Sequence, residues 1–255
     1  MKLAIFLSLV SLSSAYADTK GLNLAKTLRA NAEGFGTERV QMELKIIDSH
    51  GTEIKRLING LFKEAGGKRG TKSLMTFLNP QDVKGTKLLT WTEEGASDKQ
   101  WLYMPKIKRT KKITSSSKES QFMGSEFTYE DLGSVNLENY NFKIVKEGKD
   151  KKFGDVWILE RTPKKRSGYS KVVSIISKSF NAPVKVEYFD RKGEILKVAT
   201  IEGYKNYTAG SKKFFRPESI QVENIQTKKR SVLSWNKRQF GVSVHDRAFR
   251  KNNLK

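Results

Sequence analysis

Thr37-Glu38-Arg39-Val40-Gln41-Met42-Glu43-Leu44-Lys45-Ile46 is the stretch that decides the fold class. Val40, Met42, Leu44 and Ile46 alternate with Gln41, Glu43 and Lys45, the period of two that a strand with one wet face requires. Asp48-Ser49-His50-Gly51 then reads as a turn, and residues 54–62 return as a second strand. The same pattern recurs at 73–78, 87–91, 100–104, 107–113, 156–162, 171–176, 184–189, 195–201, 219–225 and 230–235. Ala65-Gly66-Gly67-Lys68, Glu147-Gly148-Lys149-Asp150 and Asp190-Arg191-Lys192-Gly193 supply turns between them. About ten to twelve short strands joined by tight turns predict one large antiparallel sheet rather than βαβ units, and a sheet of that size curls. The fold class is therefore mainly β with a few helices.

The inner apolar face of such a sheet needs a cover. Residues 21–32 carry Leu22, Leu24, Ala25 and Leu28 at helical spacing. Short helical pieces near 128–136, and a tail at 244–254 whose Phe249 and Leu254 can dock, are the other candidates. The concavity is either packed solid or left partly open for an apolar ligand, and a Leu or Phe reads the same in both.

Met1-Lys2, an apolar run through Leu12, and Ala15-Tyr16-Ala17 make the three parts of a secretory signal, with cleavage expected after Ala17. A membrane-spanning helix needs about 20 apolar residues, and Asp18-Thr19-Lys20 ends this run earlier. One domain is expected over residues 18–255. The chain has no cysteine, which excludes disulfides, cysteine-ligated metal and a lipidated N-terminus. Its 49 Lys and Arg against 27 Asp and Glu give a formal charge of +22. Outside the inner membrane the polyanions are lipid headgroups and cell-wall polymers, so export redirects that charge from nucleic acid to an anionic membrane face or a merely solvated surface.

Catalytic constellations are few. The two histidines are His50, in a turn, and His245, beside Asp246. Gly66-Gly67-Lys68-Arg69-Gly70-Thr71 lacks the ending of a phosphate loop and sits between strands. Glu126, Glu130 and Asp131 cluster, but their spacing suits a helix face or cap as well as an acid–base pair. No cofactor or metal is expected, and the chain reads as a non-enzyme.

The run Phe77-Leu78-Asn79-Pro80-Gln81-Asp82-Val83-Lys84-Gly85-Thr86-Lys87-Leu88-Leu89 is more particular than generic strand sequence. So are Gln100-Trp101-Leu102-Tyr103-Met104-Pro105-Lys106-Ile107-Lys108-Arg109, Ser115-Ser116-Ser117, and Phe122-Met123-Gly124-Ser125-Glu126-Phe127-Thr128-Tyr129-Glu130-Asp131-Leu132. Together they resemble the outer-membrane lipoprotein-sorting protein family, relatives of the periplasmic carrier LolA, in the branch often found beside RND-type exporters. Fainter echoes lie at 169–173, at 186–190 with Gly193 and Lys197, and at 249–254. The resemblance implies an exported protein built as an incomplete antiparallel β-barrel, with lid helices over a hydrophobic cavity for acyl chains. The lid-controlling arginine of the carrier has no assignable counterpart in this sequence.

On that reading Phe77, Leu89, Trp91, Trp101 and Tyr103 share one sheet face and line the cavity if that face is concave. Phe122, Met123 and Phe127 form its flexible lip. Lys106, Lys108, Arg109, Lys111 and Lys112 are the candidate contacts for anionic headgroups or a partner. The expected function is a periplasmic carrier that shuttles a lipid or lipoprotein towards an outer-membrane acceptor. The first alternative is a non-enzymatic adaptor of an RND-type inner-membrane exporter, without lipid cargo. The second is an enzyme acting on cell wall or lipid through Glu126, Glu130 or Asp131, and a third is a scavenger of lipopolysaccharide acting by charge.

Overall fold

The hairpin of the opening stretch forms in the computed structural model, which describes residues 19–66, 70–93 and 95–255. The expected signal sequence lies outside those residues. Strand β1 (Thr37–Ile47) pairs antiparallel with β2 (Glu53–Glu64), placing Met42 opposite Ile58. Asp48 closes the turn, its Oδ1 accepting from the backbone N–H of His50 at 2.8 Å and of Thr52 at 2.9 Å.

The chain continues through β3 (Thr71–Asn79), β4 (Lys87–Trp91), β5 (Lys99–Met104) and β6 (Arg109–Ile113). After a long crossing segment come β7 (Tyr140–Asp150), β8 (Gly154–Pro163), β9 (Lys171–Ser177), β10 (Ala182–Phe189) and β11 (Ile195–Glu202). A separate hairpin of β12 (Lys205–Ala209) and β13 (Lys212–Arg216) precedes β14 (Ser219–Asn224) and β15 (Arg230–Phe240). Among the described residues thirteen strands form one sheet in the order β6-β5-β4-β3-β2-β1-β15-β14-β11-β10-β9-β8-β7. The edges β6 and β7 are consecutive in the chain yet unpaired, so the sheet curls without closing, and residues 114–139 run from one edge to the other across its inner face.

Alternation along each strand sends side chains to two faces. Val40, Met42, Leu44, Ile58, Phe77 and Leu88 face inward and bury against Phe122, Phe127 and Tyr129 of the crossing segment. A second inner cluster joins Phe142, Leu159 and Ile176 to Leu24 and Ala25 of the helix α1 (Thr19–Ala32). The outer face carries a third, of Leu89, Trp101, Phe249 and Leu254.

Four expectations need correction. The tail, with 3-10 turns at Asp246–Phe249 and Lys251–Asn253, docks on the outer face rather than the inner one. Residues 128–132 form a hydrogen-bonded turn instead of a helix, leaving a 3-10 turn at Leu137–Asn139. The strand expected from 107 begins at Arg109, because Pro105–Ile107 is a 3-10 turn closed by Lys108 at φ 51°. Glu147-Gly148-Lys149-Asp150 belongs to β7, and the chain reverses at 151–153.

Candidate functional site

Helix α1 lies across the β7–β9 end of the inner face. Its N-terminal turn sits close to the sheet because residue 21 is glycine: a Cβ there would stand 2.8 Å from the carbonyl carbon and oxygen of Phe142. Its C-terminal carbonyls, which have no partner within a helix, are met by cations from β13. Lys212 Nζ donates to Ala30 O at 2.8 Å and Arg216 Nη2 to Ala32 O at 2.7 Å, where the helix dipole also favours positive charge. Beyond the helix, Glu64 accepts from the N–H groups of Gly34 and Gly36 at 2.6 and 2.8 Å.

Between the helix, the sheet and residues 132–137 is a cavity of about 440 Å³. Ala25 and Leu28 of α1, Phe62 of β2, Phe142 of β7, Leu159 of β8 and Ile176 of β9 supply its apolar walls, with Leu132, Val135 and Leu137 opposite. The size falls within the roughly 300–1,000 Å³ typical of small-molecule sites, and such walls favour hydrocarbon. The charged residues at its margin are paired: Arg29 with Glu33 at 2.7 Å, and Glu93 with Lys99 at 2.9 Å. The side chain of Arg161, also in the lining, makes no hydrogen bond or ion pair among the described residues.

The eight residues expected to line a cavity fall into two groups, and none of them borders this one. Leu89, Trp91, Trp101 and Tyr103 share the outer face, where Leu89 opposes Trp101 and the tail covers both. The rings of Trp91 and Trp101 meet at 4.9 Å, and Trp91 Nε1 donates to Phe249 O at 2.9 Å. Phe77 points inward instead, against Phe122 at 5.7 Å, with Phe127 in the same cluster and Met123 packed against it. Grouping Phe77 with the tryptophans was an error of register, since a bulge at Leu57–Ile58 and the turn at 80–85 separate the two parities. Lys106, Lys108, Arg109, Lys111 and Lys112 are exposed along the β6 edge, and none is ion-paired among the described residues.

The three carboxylates are consumed by structure. Asp131 accepts from Tyr169 Oη at 2.8 Å, from Thr128 N at 2.7 Å and from Lys197 Nζ at 2.5 Å. Glu126 accepts from Asn224 Nδ2 at 2.8 Å and Gln121 Nε2 at 3.1 Å, while its own N–H donates to Ser231 Oγ. Glu130 accepts from Gly168 N at 2.9 Å and from Ser167 Oγ. Burial pushes the Tyr169 hydroxyl well above its usual range, and Asp131 beside it adds to the shift. His50 and His245 are exposed. Among the described residues no three His, Asp or Glu side chains are grouped to hold a metal, and no helix is long and apolar enough to cross a membrane.

Sequence reasoning missed β7 and with it Phe142, although Tyr140, Phe142 and Ile144 alternate with Asn141 and Lys143 as a strand should. It also missed Arg161, which only a cross-strand register could place.

A family model described as an uncharacterized protein family matches residues 69–255. No curated protein matches the chain. Among solved structures, a domain described as an outer membrane lipoprotein-sorting protein from Vibrio parahaemolyticus is 37% identical with a TM-score of 0.86, covering 92% of this chain and 98% of its own. A DUF1329 family protein from Desulfovibrio piger is 25% identical, with a TM-score of 0.85 and the same coverage. A LolA superfamily protein from Nitrosomonas europaea, 20% identical over 89% of this chain and 98% of its own, has a TM-score of 0.69 and shares the fold. The chain belongs to the outer membrane lipoprotein-sorting protein family and has a LolA-like fold.

Proposed function

We propose that the protein is an exported, periplasmic carrier that shelters the acyl chain of a lipid or lipoprotein beneath α1 and carries it towards an outer-membrane acceptor. The observation that carries this reading is the cavity of about 440 Å³ walled by Leu28, Phe62, Phe142, Leu159 and Ile176. Each methylene left in water costs about 0.8 kcal/mol, so an acyl chain crosses an aqueous space only under cover. The cover here is one helix held by its termini, an element that can lift as a unit and re-seat. Non-catalytic handling is in keeping with the carboxylates at 126, 130 and 131, which are all committed to structural hydrogen bonds.

The exposed cations of the β6 edge suit an approach to anionic headgroups or to a membrane-bound partner such as an RND-type exporter. The test is to purify the mature protein from periplasm without detergent and record native mass spectra, followed by lipid extraction. A stoichiometric acyl species supports the carrier. A protein that arrives empty, and that also refuses acyl probes, leaves the cargo-free adaptor.

A further inference from the structure

Among the described residues three arginines have an Nε that is fully buried without a partner: Arg56, Arg161 and Arg238. Two of them use their other nitrogens. Arg56 donates to Met123 O, and Arg238 donates to Glu38 Oε1 at 2.9 Å and to Pro217 O at 2.8 Å. Among the described residues the Arg161 side chain makes no hydrogen bond and no ion pair; its guanidinium lies 5.4 Å from the centre of the Tyr140 ring and is also felt by the Tyr188 hydroxyl.

Its position makes that unusual. On β8, Arg161 stands directly opposite Phe142 of β7 on one side and Val172 of β9 on the other, both buried. It borders the same cavity as Leu159 and Ile176. A guanidinium does not give up its proton, so the charge stays where the fold puts it, and an unpaired cation among apolar side chains is costly. A planar fork of donors is also the best match for a carboxylate or phosphate.

We infer that Arg161 is the anchor for the anionic head of a single-chain amphiphile, whose hydrocarbon occupies the cavity beneath α1. This rests on the carrier reading and narrows it: the preferred ligand is an acyl chain ending in a carboxylate or a phosphate monoester, bound with its head inside. Tyr140 flanks the head position, and Phe142, Leu159 and Ile176 meet the chain.

The test uses delipidated mature protein loaded with the neutral dye N-phenyl-1-naphthylamine, displaced in turn by hexadecanoate, hexadecyl phosphate and hexadecanol. The expected result is displacement by one or both anions at concentrations about ten-fold or more below that of the alcohol, the size of a charge-assisted hydrogen bond. The better of the two anions identifies the head. Arg161→Met abolishes the advantage, and Arg161→Lys, a point charge without the fork, retains part of it. Equal displacement by acid, phosphate and alcohol in the unaltered protein overturns the anchor while leaving the carrier intact. Failure of the dye and of all three amphiphiles to bind overturns the carrier reading itself. Should Arg161→Met not fold, the comparison on the unaltered protein and Arg161→Lys still decides.

Discussion

Lys197 Nζ and Asp131 Oδ2 meet at 2.5 Å with side chains only 3% and 7% exposed, tying the middle of the sheet to the segment that crosses it. The ammonium also donates to Glu126 O at 2.8 Å and lies near the rings of Tyr188 and Tyr169, at 5.0 and 5.2 Å. Four stretches distant in sequence therefore converge on one buried charge pair. They are the stretches around 122–132, 169, 188 and 197, all of which take part in the resemblance to lipoprotein-sorting proteins. Their distinctive residues hold the crossing segment down. Of these stretches Leu132 alone borders the cavity.

Asp131→Asn should be strongly destabilising, because it leaves a buried ammonium without its carboxylate. Removing one member of such a pair costs about 3–5 kcal/mol. Lys197→Met combined with Asp131→Asn should recover part of that loss, since the stranded charge is gone. Urea unfolding of the single and double variants measures both, and equal losses in the two would show that the stranded ammonium is not what makes the single change costly.

The cavity and the outer tryptophan cluster make opposite predictions. Ser174 of β9 borders the cavity, and Ser174→Phe should fill it, weakening acyl-probe binding while the unfolding midpoint holds or rises. Leu89 is fully buried on the other face, and Leu89→Ala should cost about 2–5 kcal/mol while the fraction that remains folded binds the probe normally. A probe response to Leu89→Ala larger than that to Ser174→Phe would put the ligand on the wrong face.

How much of this was legible beforehand follows from what periodicity encodes. Alternation at 40–46 gives a strand and its two faces, its recurrence along the chain implies the large curled sheet, and the helical spacing of Leu24, Ala25 and Leu28 marks the N-terminal helix. It does not say which face is concave, because Trp101 among Leu89 and Trp91 looks the same under a tail as under a lid. Nor does it pass through a bulge or a turn, so Phe77 could not be phased with Leu89. Arg161 reads as a routine strand cation until β7 and β9 bring Phe142 and Val172 to either side of it. The Glu126–Asp131 cluster kept two readings open until Lys197 and Tyr169, 66 and 38 residues further along, were seen to complete it.

Gly21 sets the seat of the lid. Gly21→Ala places a methyl 2.8 Å from backbone atoms of Phe142, which cannot step aside as a side chain could. The helix must shift outward, at a cost of about 1–3 kcal/mol typical of overpacking. Faster release of a bound acyl probe should accompany that loss, measured by stopped-flow dilution. Unchanged release would mean that cargo leaves by a route that does not involve this end of α1.

The tail is a structural clasp. Phe249 is 1% exposed, and its carbonyl receives the Trp91 indole N–H. Phe249→Ala should cost about 3–5 kcal/mol and shift tryptophan emission to the red as Trp91 and Trp101 lose their cover. Dye binding by the folded fraction should persist, which separates the clasp from the lid.

Asp98 gives a pH signature. Its carboxylate holds the entry to residues 134–139, accepting from Ser134 N at 2.6 Å and Ser134 Oγ at 3.0 Å. Burial nevertheless raises its pKa above the ordinary value, outweighing those hydrogen bonds and the nearby Lys118. The folded state thus prefers the protonated acid. A raised folded pKa means that this group's contribution to stability is fully present below the unfolded value, about 3.9, and is lost as pH rises through the folded one. Asp98→Asn imitates the protonated form and can keep both contacts, its carbonyl accepting from Ser134 N–H and its amide donating to Ser134 Oγ. The variant should therefore be more stable than the unaltered protein at pH 7, with the gap closing as the pH falls below about 4. Urea midpoints across that range test the sign, and a variant weaker at pH 7 than at pH 4, relative to the unaltered protein, would mean that the ionised carboxylate is the form the fold prefers.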